Sequence, residues 1–482
     1  MLADDLLIRL RDALGADRVL TSDTDVDDRR HDYWVLSHLQ AWSETFDDRP
    51  GAVVRPRSTA DVQAVVRLAA ETGTAVVPFG LGSGVCGGIR PDQNMLLVDL
   101  SSMDRIRKID DVNLVATFDA GVNGLVAEEA VAALGLTIGH WPQSIALSTV
   151  GGWVSTRAAG QFSTAYGNIE DMVYALEVVL PDGTLVELGR APRAAAGPDL
   201  RHIFLGAEGT MGIVTGVTLA LHRQPEKRTW RAFHTPSLTA GLEAQRLIMQ
   251  AGWKPPVMRQ YDAREARRTF RPWSIKGRGI LLMAHEGPAG RVDAEVAAVD
   301  GLADSCGLTR ADDEVGPHWM ENRNHVPSWE ELFEQGLIVD TIEVSGPWTG
   351  VEAIYDAVLA DVGAVDGVVA VSAHSSHAYR TGVNLYFTFA AAAPADTADS
   401  TDSADSADSP DLEVAYLACW HAVMEATARN GGGIAHHHGI GRVRKPYLAH
   451  ELGESGLALL RTLKGAVDPH GIMNPGNLIP DT

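Results

Sequence analysis

The loop Pro78-Phe-Gly-Leu-Gly-Ser-Gly84 directly follows a predicted strand, Thr74–Pro78. Residues 82–87 match the pattern G-x-G-x-x-G of dinucleotide-binding turns. That motif needs a helix to begin at once, with its amino terminus under the phosphates. Here residues 88–93 predict a turn and then another strand, which argues against a Rossmann fingerprint. Successive amides in a glycine loop form an anion-binding nest without a helix, and Ser83 adds a hydroxyl group.

Two further segments are rich in glycine, serine and threonine, namely residues 142–160 and 206–215. Ordinary turns explain one such segment more easily than all three. Three of them in one domain predict a large, flat, polar ligand that lies between subdomains.

The chain alternates strands and helices from Ala52 onward. The pattern predicts strands at residues 52–55, 74–78, 95–100, 114–119 and 176–180, and a capped amphipathic helix at 58–70. Residues 225–430 read as an α+β unit with longer helices, such as Leu238–Ala251 and Val351–Val362. Low complexity marks Ala390–Asp411, whose six aspartates and lack of large apolar residues predict a disordered, solvated loop.

Bulk composition excludes several classes of function. The 482 residues carry 40 basic and 63 acidic side chains, a net charge of −23, which argues against nucleic-acid binding. Three cysteines far apart in sequence fit a reducing compartment. The amino terminus does not resemble a signal peptide, and no run of 18 apolar residues exists. We therefore expect a cytoplasmic location.

Residues 254–280 form a basic stretch, with eight lysines and arginines against Asp262 and Glu265. Its local charge of +6 could receive a phosphate, a carboxylate or an anionic membrane at the inner face. The alternative is a solvated basic helix face, and the sequence favours neither.

Three consecutive histidines, His436-His437-His438, lie between glycines and are followed by Arg442, Arg444 and Lys445. Imidazoles titrate near neutral pH and can donate or accept protons, so a catalytic role is favoured over a surface loop. Adjacent residues of an extended segment alternate faces, and for that reason we predict no metal at these three histidines.

Four segments resemble the FAD-binding pattern of the vanillyl-alcohol oxidase type (PCMH-type) flavoproteins. They are residues 78–84, 148–152, 208–212 and 468–478. Within that family, residues 148–160, 166–171, 197–199, 436–439 and 444–445 are similar to the alkylglycerone-phosphate synthases. The resemblance implies an α+β fold: a two-subdomain FAD-binding domain, a cap domain with an antiparallel sheet, and a carboxyl-terminal segment that returns to the FAD domain. We divide the chain accordingly at residues 1–47 (a helical segment), 48–224, 225–432 and 433–482.

The resemblance also implies the cofactor contacts. These residues are Pro78, Phe79, Gly80, Leu81, Gly82, Ser83, Gly84, Gln143, Ser144, Ser148, Thr149, Thr156, Arg157, Ala158, Ala159, Glu208, Gly209, Thr210, Met211, Gly212, Ile213 and Val214. Family members with covalent flavin carry histidine at the position of Ser83, so noncovalent FAD is expected.

For the synthases, the resemblance implies exchange of an acyl group for a fatty alcohol on acyl-dihydroxyacetone phosphate, through a flavin N5 adduct and without net redox change. The family's catalytic tyrosine corresponds to Tyr386, which we place with His436, His437 and His438. A free tyrosine, with a pKa of about 10, is a poor base. We expect the imidazoles, Arg444 and Lys445 to lower the pKa of Tyr386. A packed core aromatic is the alternative for this residue.

The phosphate-binding arginine of that family, expected near residues 316–320, has no counterpart there. Arg323 lies close in sequence, and Arg259 is the substitute candidate; Arg444 and Lys445 complete the predicted substrate contacts. We expect a lipid-like small-molecule substrate and a homodimer.

A second reading is oxidation of a D-2-hydroxy acid such as lactate, glycolate or 2-hydroxyglutarate. Arg259 would hold the carboxylate, and His437 would accept the hydroxyl proton. His374-Ser-Ser-His377 resembles the spaced cap histidines of those enzymes. A third reading, a flavin-binding scaffold that recruits a partner through the acidic loop, does not explain the density of histidine, arginine and tyrosine.

Overall fold

The computed structural model describes residues 2–324, 328–392 and 409–480. Its strands form three main sheets and one two-stranded sheet. The strands are β1 (Val19–Leu20), β2 (Ala52–Val54), β3 (Val76–Phe79), β4 (Leu96–Asp99), β5 (Ile106–Asp110), β6 (Val115–Asp119), β7 (Leu136–Thr137), β8 (Val173–Val179), β9 (Leu185–Leu188), β10 (Ile213–Ala220), β11 (His222–Arg223), β12 (Lys227–Thr235), β13 (Val257–Tyr261), β14 (Gly279–Gly287), β15 (Thr309–Arg310), β16 (Leu337–Pro347), β17 (Val368–Ser375) and β18 (Gly382–Ala392).

Helices connect and cover these strands. They are α1 (Asp4–Leu14), α2 (Asp23–Asp27), α3 (Val35–Trp42), α4 (Thr59–Thr72), α5 (Gly124–Ala132), α6 (Val150–Thr156), α7 (Ser163–Tyr166), α8 (Ile169–Met172), α9 (Arg201–Phe204), α10 (Leu238–Gln250), α11 (Ala263–Thr269), α12 (Ala289–Ser305), α13 (Val315–Asn322), α14 (Trp329–Phe333), α15 (Val351–Gly363), α16 (Ser409–Arg429) and α17 (Leu448–Val467).

The first sheet, in the order β1-β2-β4-β3, positions the glycine-rich loop at the end of β3. Helix α4 begins where the Ser58 side chain accepts the amide of Asp61, and it ends at Gly73 with a φ of 65°. Its apolar face, which includes Val62, Val65 and Val66, packs into the core of this sheet. No helix follows residues 80–87 directly, and the next regular element is the strand β4, as the sequence predicts.

The carboxyl-terminal segment returns to the first sheet. The amide of Val76 donates to the carbonyl of Ile472 at 2.7 Å, and the amide of Asn474 donates to the carbonyl of Val76 at 2.8 Å. This backbone pairing covers the free edge of β3 and brings the end of the chain beside the glycine-rich loop.

The second sheet, β5-β6-β10-β8-β9, is antiparallel, and so is the seven-stranded sheet β15-β12-β14-β13-β17-β18-β16. Helices α10, α12, α15 and α16 pack on the seven-stranded sheet around a large apolar core. The predicted fold class, α+β with an antiparallel sheet in the cap, is confirmed. The predicted domain boundaries stay predictions.

Two regions differ from the expected pattern. The amino-terminal segment is not only helical, since β1 pairs with β2 and so joins the first sheet. The predicted acidic loop is too long at both ends: residues 390–392 belong to β18, and α16 already begins at Ser409. The central part of that loop lies outside the described residues. Among the described helices, none is both long and apolar enough to cross a membrane.

Candidate active site

The histidine segment is held by three glutamates that accept its backbone amides. Glu343, on β16, accepts the amides of His436, His437 and His438 at 3.4, 3.3 and 3.0 Å. Glu208 accepts those of Ile440 and Gly441 at 2.6 and 2.9 Å, and Glu451 accepts that of Ile434 at 3.0 Å. These bonds fix the path of an irregular segment, so its three imidazoles project from a defined backbone.

Glu343 also binds two side chains. His438 Nδ1 lies 2.8 Å from its carboxylate, and the Arg444 guanidinium donates to the same oxygen. Burial alone would raise the pKa of Glu343, but the charge of Arg444 and the nearby His438 hold this pKa well below its usual range. Glu343 is therefore an anion at the centre of the site.

Arg444 itself is fully buried. Besides Glu343, it donates to the carbonyl of Gly439 at 2.9 Å and contacts Cys86 Sγ at 3.0 Å. These bonds tie the histidine segment to the loop after β3. The geometry thus gives Arg444 a positioning role in place of the predicted substrate contact. The neighbouring Lys445 donates to the carbonyl of Gly476 at 3.0 Å.

Tyr386, on β18, lies at the side chains of this segment. Its hydroxyl group is hydrogen-bonded to His437 Nε2 and lies 3.4 Å from His438 Nε2. On its other side the ring stacks on His374, with centroids 4.9 Å apart. The expected lowering of the pKa of Tyr386 is wrong. Burial and the Glu343 carboxylate raise this pKa, and Arg259 and Arg444 only oppose that rise.

The hydrogen bonds continue beyond His437. Its Nδ1 lies 2.6 Å from Nδ1 of His436, and His436 Nε2 lies 2.7 Å from the Tyr379 hydroxyl group. Asn168 donates to that hydroxyl group at 3.1 Å. Burial lowers the pKa of His436 to about 4 and that of His437 well below its usual value. Both imidazoles are therefore neutral near pH 7.

Three imidazoles converge closely enough to hold an ion. One nitrogen each of His377, His436 and His437 lies within 4.8 Å of the other two. Reasoning from the three adjacent histidines alone missed this group, because His377 comes from the connection between β17 and β18. Both nitrogens of His377 have partners, Ser376 Oγ at 2.7 Å and the carbonyl of Gly160 at 3.0 Å. Each of the three rings is held by hydrogen bonds within the protein, and these bonds explain the short distances between their nitrogens without an ion.

Arg259 and Arg323 flank the indole ring of Trp319. The Cζ atoms of the two guanidinium groups lie 5.4 and 5.9 Å from that ring. Arg259 is buried, donates to Tyr261 at 2.8 Å and contacts His374 Nε2 at 2.7 Å. Arg323 donates to Gln161 at 2.7 Å. No carboxylate in the described part of the chain forms an ion pair with either arginine, so two adjacent positive charges are open to an anion.

His374 connects these arginines to Tyr386. Because Arg259 donates to its Nε2, Nδ1 carries the hydrogen and donates to Glu265 at 2.9 Å. The same ring stacks on Tyr386. Arg259 and Tyr386 therefore belong to one continuous site.

The three small-residue segments meet as the sequence predicts. A Cβ atom added to Gly80 would lie 2.6 Å from Thr149 Oγ1, and one added to Gly209 would lie 2.8 Å from Pro78 Cγ. Within the described chain, the amides of residues 80–84 donate to no protein acceptor. A loop of free main-chain donors enclosed by small residues fits the diphosphate of FAD.

Several predicted cofactor residues use their side chains within the protein. Ser148 Oγ accepts from the Trp153 indole at 2.8 Å, and Thr149 caps α6 by accepting the amide of Gly152. Phe79 packs into the core with Val53 and Leu97. The Glu208 carboxylate is bound by the histidine segment and by Asn477 at 3.0 Å. Any contact of these residues with FAD is made by their backbone or by side-chain hydrogen-bonding capacity that the protein does not use. The individual contacts stay predictions.

Residues 50–189 match the family model of the FAD binding domain, and residues 224–478 match that of the FAD linked oxidases, C-terminal domain. The chain belongs to the FAD-linked oxidases. FAD is the cofactor of this FAD-linked oxidase. Its attachment without a covalent bond, expected from Ser83, stays a prediction.

Relatives of this FAD-linked oxidase differ in activity. The uncharacterized FAD-linked oxidoreductase YgcU of Escherichia coli K12 is 33% identical over 98% of this chain and 97% of its own length. Alkyldihydroxyacetonephosphate synthase of Trypanosoma brucei is 29% identical over 90% of this chain and 74% of that one. Glycolate oxidase subunit GlcD of Bacillus subtilis is 28% identical over 90% of each chain.

Among solved structures, an alkyldihydroxyacetonephosphate synthase superposes with a TM-score of 0.80 at 23% identity, covering 98% of this chain and 85% of that one. This likeness establishes the fold.

Sequence reasoning missed the residues that organise the FAD-linked oxidase site. Glu343, Tyr379 and Trp319 each touch a predicted residue, yet they lie 101, 57 and 60 positions from Arg444, His436 and Arg259. A lone glutamate in a strand, or one tyrosine among nine, carries no local signal of such a role.

Proposed function

We propose that this FAD-dependent enzyme is an alkylglycerone-phosphate synthase-like transferase. It would replace the acyl group of acyl-dihydroxyacetone phosphate by a fatty alcohol, as in ether-lipid biosynthesis. The observation that carries the proposal is the pair of arginines around Trp319, which have no carboxylate partner among the residues that the structure describes.

A phosphate group carries up to two negative charges and three acceptor oxygens. Guanidinium groups are the side chains best suited to such an acceptor because they offer paired donors. Burial and the nearby guanidinium groups of Arg228 and Arg259 lower the pKa of Arg323. A bound phosphate would relieve this repulsion, so its affinity should exceed that of a group with a single charge.

Tyr386 is the proposed base. When bound, FAD supplies an electron-accepting ring that stabilises the carbon from which the proton is removed. The tyrosine must be a phenolate to take that proton, and His437 Nε2 is hydrogen-bonded to its hydroxyl group. His438 and Glu343 hold the opposite side of the hydroxyl group in a polar environment.

A second candidate function is oxidation of a D-2-hydroxy acid. It is favoured by the position of Arg259, which is linked to Tyr386 through His374, because one guanidinium group suffices to hold a carboxylate while the neutral imidazole of His437 accepts the hydroxyl proton. The relationship to a glycolate oxidase subunit agrees with this function.

The anaerobic visible spectrum of the FAD-loaded enzyme tests both functions. The enzyme would be mixed in turn with acyl-dihydroxyacetone phosphate and with a panel of D-2-hydroxy acids. We expect loss of the oxidised flavin band with the phosphate ester alone, and its recovery when a fatty alcohol is added.

Arg323→Gln provides a matched test of the phosphate site. It should weaken the response to the phosphate ester while leaving the flavin spectrum of the free enzyme unchanged. Bleaching by a hydroxy acid that reverses only with an electron acceptor would refute the transferase and establish the oxidase. The predicted homodimer is tested separately by sedimentation velocity.

A further inference from the structure

We infer that His437, His436 and Tyr379 form a proton relay that carries the hydroxyl proton of Tyr386 out of the active site. This inference deepens the proposed function, because it rests on Tyr386 being the base. It assigns a transfer role to two histidines and a second tyrosine, Tyr379.

The relay is continuous in hydrogen bonds. It runs from Tyr386 to His437 Nε2, from His437 Nδ1 to His436 Nδ1 over 2.6 Å, and from His436 Nε2 to the Tyr379 hydroxyl group over 2.7 Å. Tyr386 and Tyr379 are both half-buried, His437 is buried, and Tyr379 directly precedes the exposed Arg380. The relay thus passes through a buried imidazole to a hydroxyl group beside an exposed residue.

One set of hydrogen positions satisfies every contact. Each imidazole carries one hydrogen in its neutral form. If Tyr386 donates to His437 Nε2, then His437 Nδ1 carries the hydrogen and donates to His436 Nδ1. His436 Nε2 then donates to Tyr379. Because Asn168 also donates to that oxygen at 3.1 Å, the hydroxyl hydrogen of Tyr379 is directed away from both.

Transfer along this chain balances without a charged imidazole left behind. The O–H bond of Tyr386 breaks and its proton binds His437 Nε2. The Nδ1 proton of His437 passes to His436 Nδ1, and the Nε2 proton of His436 passes to the Tyr379 oxygen. Tyr379 releases its own proton to water or to a buffer base. Tyr386 becomes a phenolate, while the other three groups are neutral again.

The second neighbour of Tyr386 offers no such exit. His438 Nε2 is farther from the hydroxyl group, at 3.4 Å, and its Nδ1 faces the fully buried Glu343, which is already paired with Arg444. His438 is itself partly exposed, with 23% of its side chain accessible, but beyond Glu343 this branch meets only Arg444, which cannot accept a proton. Among these residues, the His437 branch alone continues through a second imidazole to another hydroxyl group.

Tyr379→Phe tests the outer end of the relay while retaining the ring. Turnover should fall by roughly a hundredfold, at the lower end of the range for a lost proton-transfer group, and the solvent isotope effect on turnover should increase. Tyr447→Phe is the matched control, because it removes a hydroxyl group bonded to another histidine, His421, at 3.1 Å. It should change neither quantity.

His436→Ala removes the middle of the relay and leaves room for a small base. Added imidazole should restore turnover in this variant and not in Tyr386→Phe. A purely structural role of His436 would give no rescue, and unchanged turnover in both His436→Ala and Tyr379→Phe would overturn the inference.

A spectroscopic readout separates this inference from the proposed reaction. In the FAD-loaded enzyme labelled with ¹⁵N-histidine, we expect His437 with its hydrogen on Nδ1 and His436 with its hydrogen on Nε2, assigned by loss of signals in His437→Gln and His436→Gln. Hydrogens on Nδ1 of both rings or on Nε2 of both rings, or an imidazolium at either position near pH 7, would refute the relay, because the His436–His437 contact would then lack a matched donor and acceptor. These tautomers are measured without substrate, so failure of the transferase assay leaves the result interpretable.

Discussion

Glu343 is fully buried, where a negative charge is costly, yet it binds both the backbone and the side chains of the histidine segment. It binds three consecutive amides, one imidazole and one guanidinium group. A buried ion pair is destabilised by about 3–5 kcal/mol when one partner is removed, because the other charge stays unpaired. The stability of the site and its geometry are therefore set by the same carboxylate.

Individual site residues were partly predictable from sequence. Tyr386 and the three histidines could be singled out because an unusual local pattern and a family resemblance marked them. The direction of the pKa shift of Tyr386 could not, since it depends on burial and on Glu343, 43 positions away in sequence and directly opposite it on the paired strand.

Tyr386→Phe should abolish turnover while leaving FAD bound. The substitution removes only the hydroxyl group that exchanges the proton, so turnover should fall by about 10²–10⁴-fold. Flavin content and visible spectrum should be those of the unchanged enzyme. Phe387→Tyr is unsuitable as a control because Phe387 is fully buried; Tyr447→Phe serves instead. Retained turnover would remove Tyr386 from the mechanism.

Asp32 should make the stability of the enzyme depend on pH. It is buried beside the glycine-rich loop and accepts the amide of Gly88 at 2.8 Å. Burial raises its pKa to about 7, above the value of about 3.9 in an unfolded chain. The resulting stabilisation is complete below the unfolded pKa and is lost as pH rises through about 7, by about 1.4 kcal/mol for each pH unit.

Unfolding by urea at pH 5 and pH 8, with FAD in excess, measures this effect. The loss of stability between the two pH values should be smaller in Asp32→Asn than in the unchanged enzyme. The exposed Asp28→Asn is the control and should keep the full loss. An equal pH dependence in all three proteins would contradict the assignment to Asp32.

Elements with strong local signals were predictable to within a few residues. Helix α4 has a serine cap, a 3.6-residue apolar period and a terminal glycine, and these signals are contained in its own sequence. The histidine segment has none of them. Its shape is imposed by Glu343 and Glu208, which come from distant parts of the chain, and by Glu451, 17 positions after Ile434.

Gly441 ends the histidine segment, and its substitution tests whether the segment must pack closely against Cys86. Gly441 has a φ of 55°, and an added Cβ atom would lie 2.1 Å from the Cys86 carbonyl oxygen. Gly441→Ala should lower the free energy of unfolding by more than the 1–3 kcal/mol or so of left-handed strain alone, and it should reduce turnover by moving the histidines.

Gly431→Ala is the matched control for this substitution. Gly431 has a similar φ of 72° but nothing within 4 Å of an added Cβ atom. Gly431→Ala should lower the free energy of unfolding by the backbone strain alone, because no clash occurs, and the variant should keep its turnover. Equal effects of the two substitutions would mean that contact with Cys86 does not position the segment.

At the scale of the whole molecule, the fold class and the return of the carboxyl-terminal segment to the FAD domain followed from the family resemblance, but the residues that pair there did not. The first sheet is completed by residues near the end of the chain, through the pairing of Val76 with residues 472 and 474. Contacts between segments almost 400 residues apart leave no periodic trace in either segment. The net charge of −23 likewise says nothing about where its few basic patches lie.

One of the two readings of the basic stretch predicts a contact with anionic membranes. Arg267, Arg271 and Lys276 are exposed on and after α11. Each such side chain contributes about 1 kcal/mol at an anionic surface. The enzyme should therefore sediment with phosphatidylglycerol vesicles at low ionic strength and be released by about 1 M salt, which shortens the screening length to about 3 Å.

Replacing these three residues with glutamine should abolish that sedimentation. The control carries glutamine at Arg190, Arg193 and Arg223, which are exposed elsewhere, and should bind as the unchanged enzyme does. Binding that survives the first set of substitutions would show that the stretch is only a solvated face.

The three glutamates have a consequence for how such enzymes diversify. They bind the backbone amides of the histidine segment, and among the three histidines only His438 also binds one of these glutamates, Glu343, through its side chain. Substitutions at positions 436 and 437 can then alter the chemistry presented to a substrate while the surrounding scaffold is retained. Because carboxylates hold the backbone of this segment, natural selection or protein engineering can exchange one reaction for another there at little risk to folding.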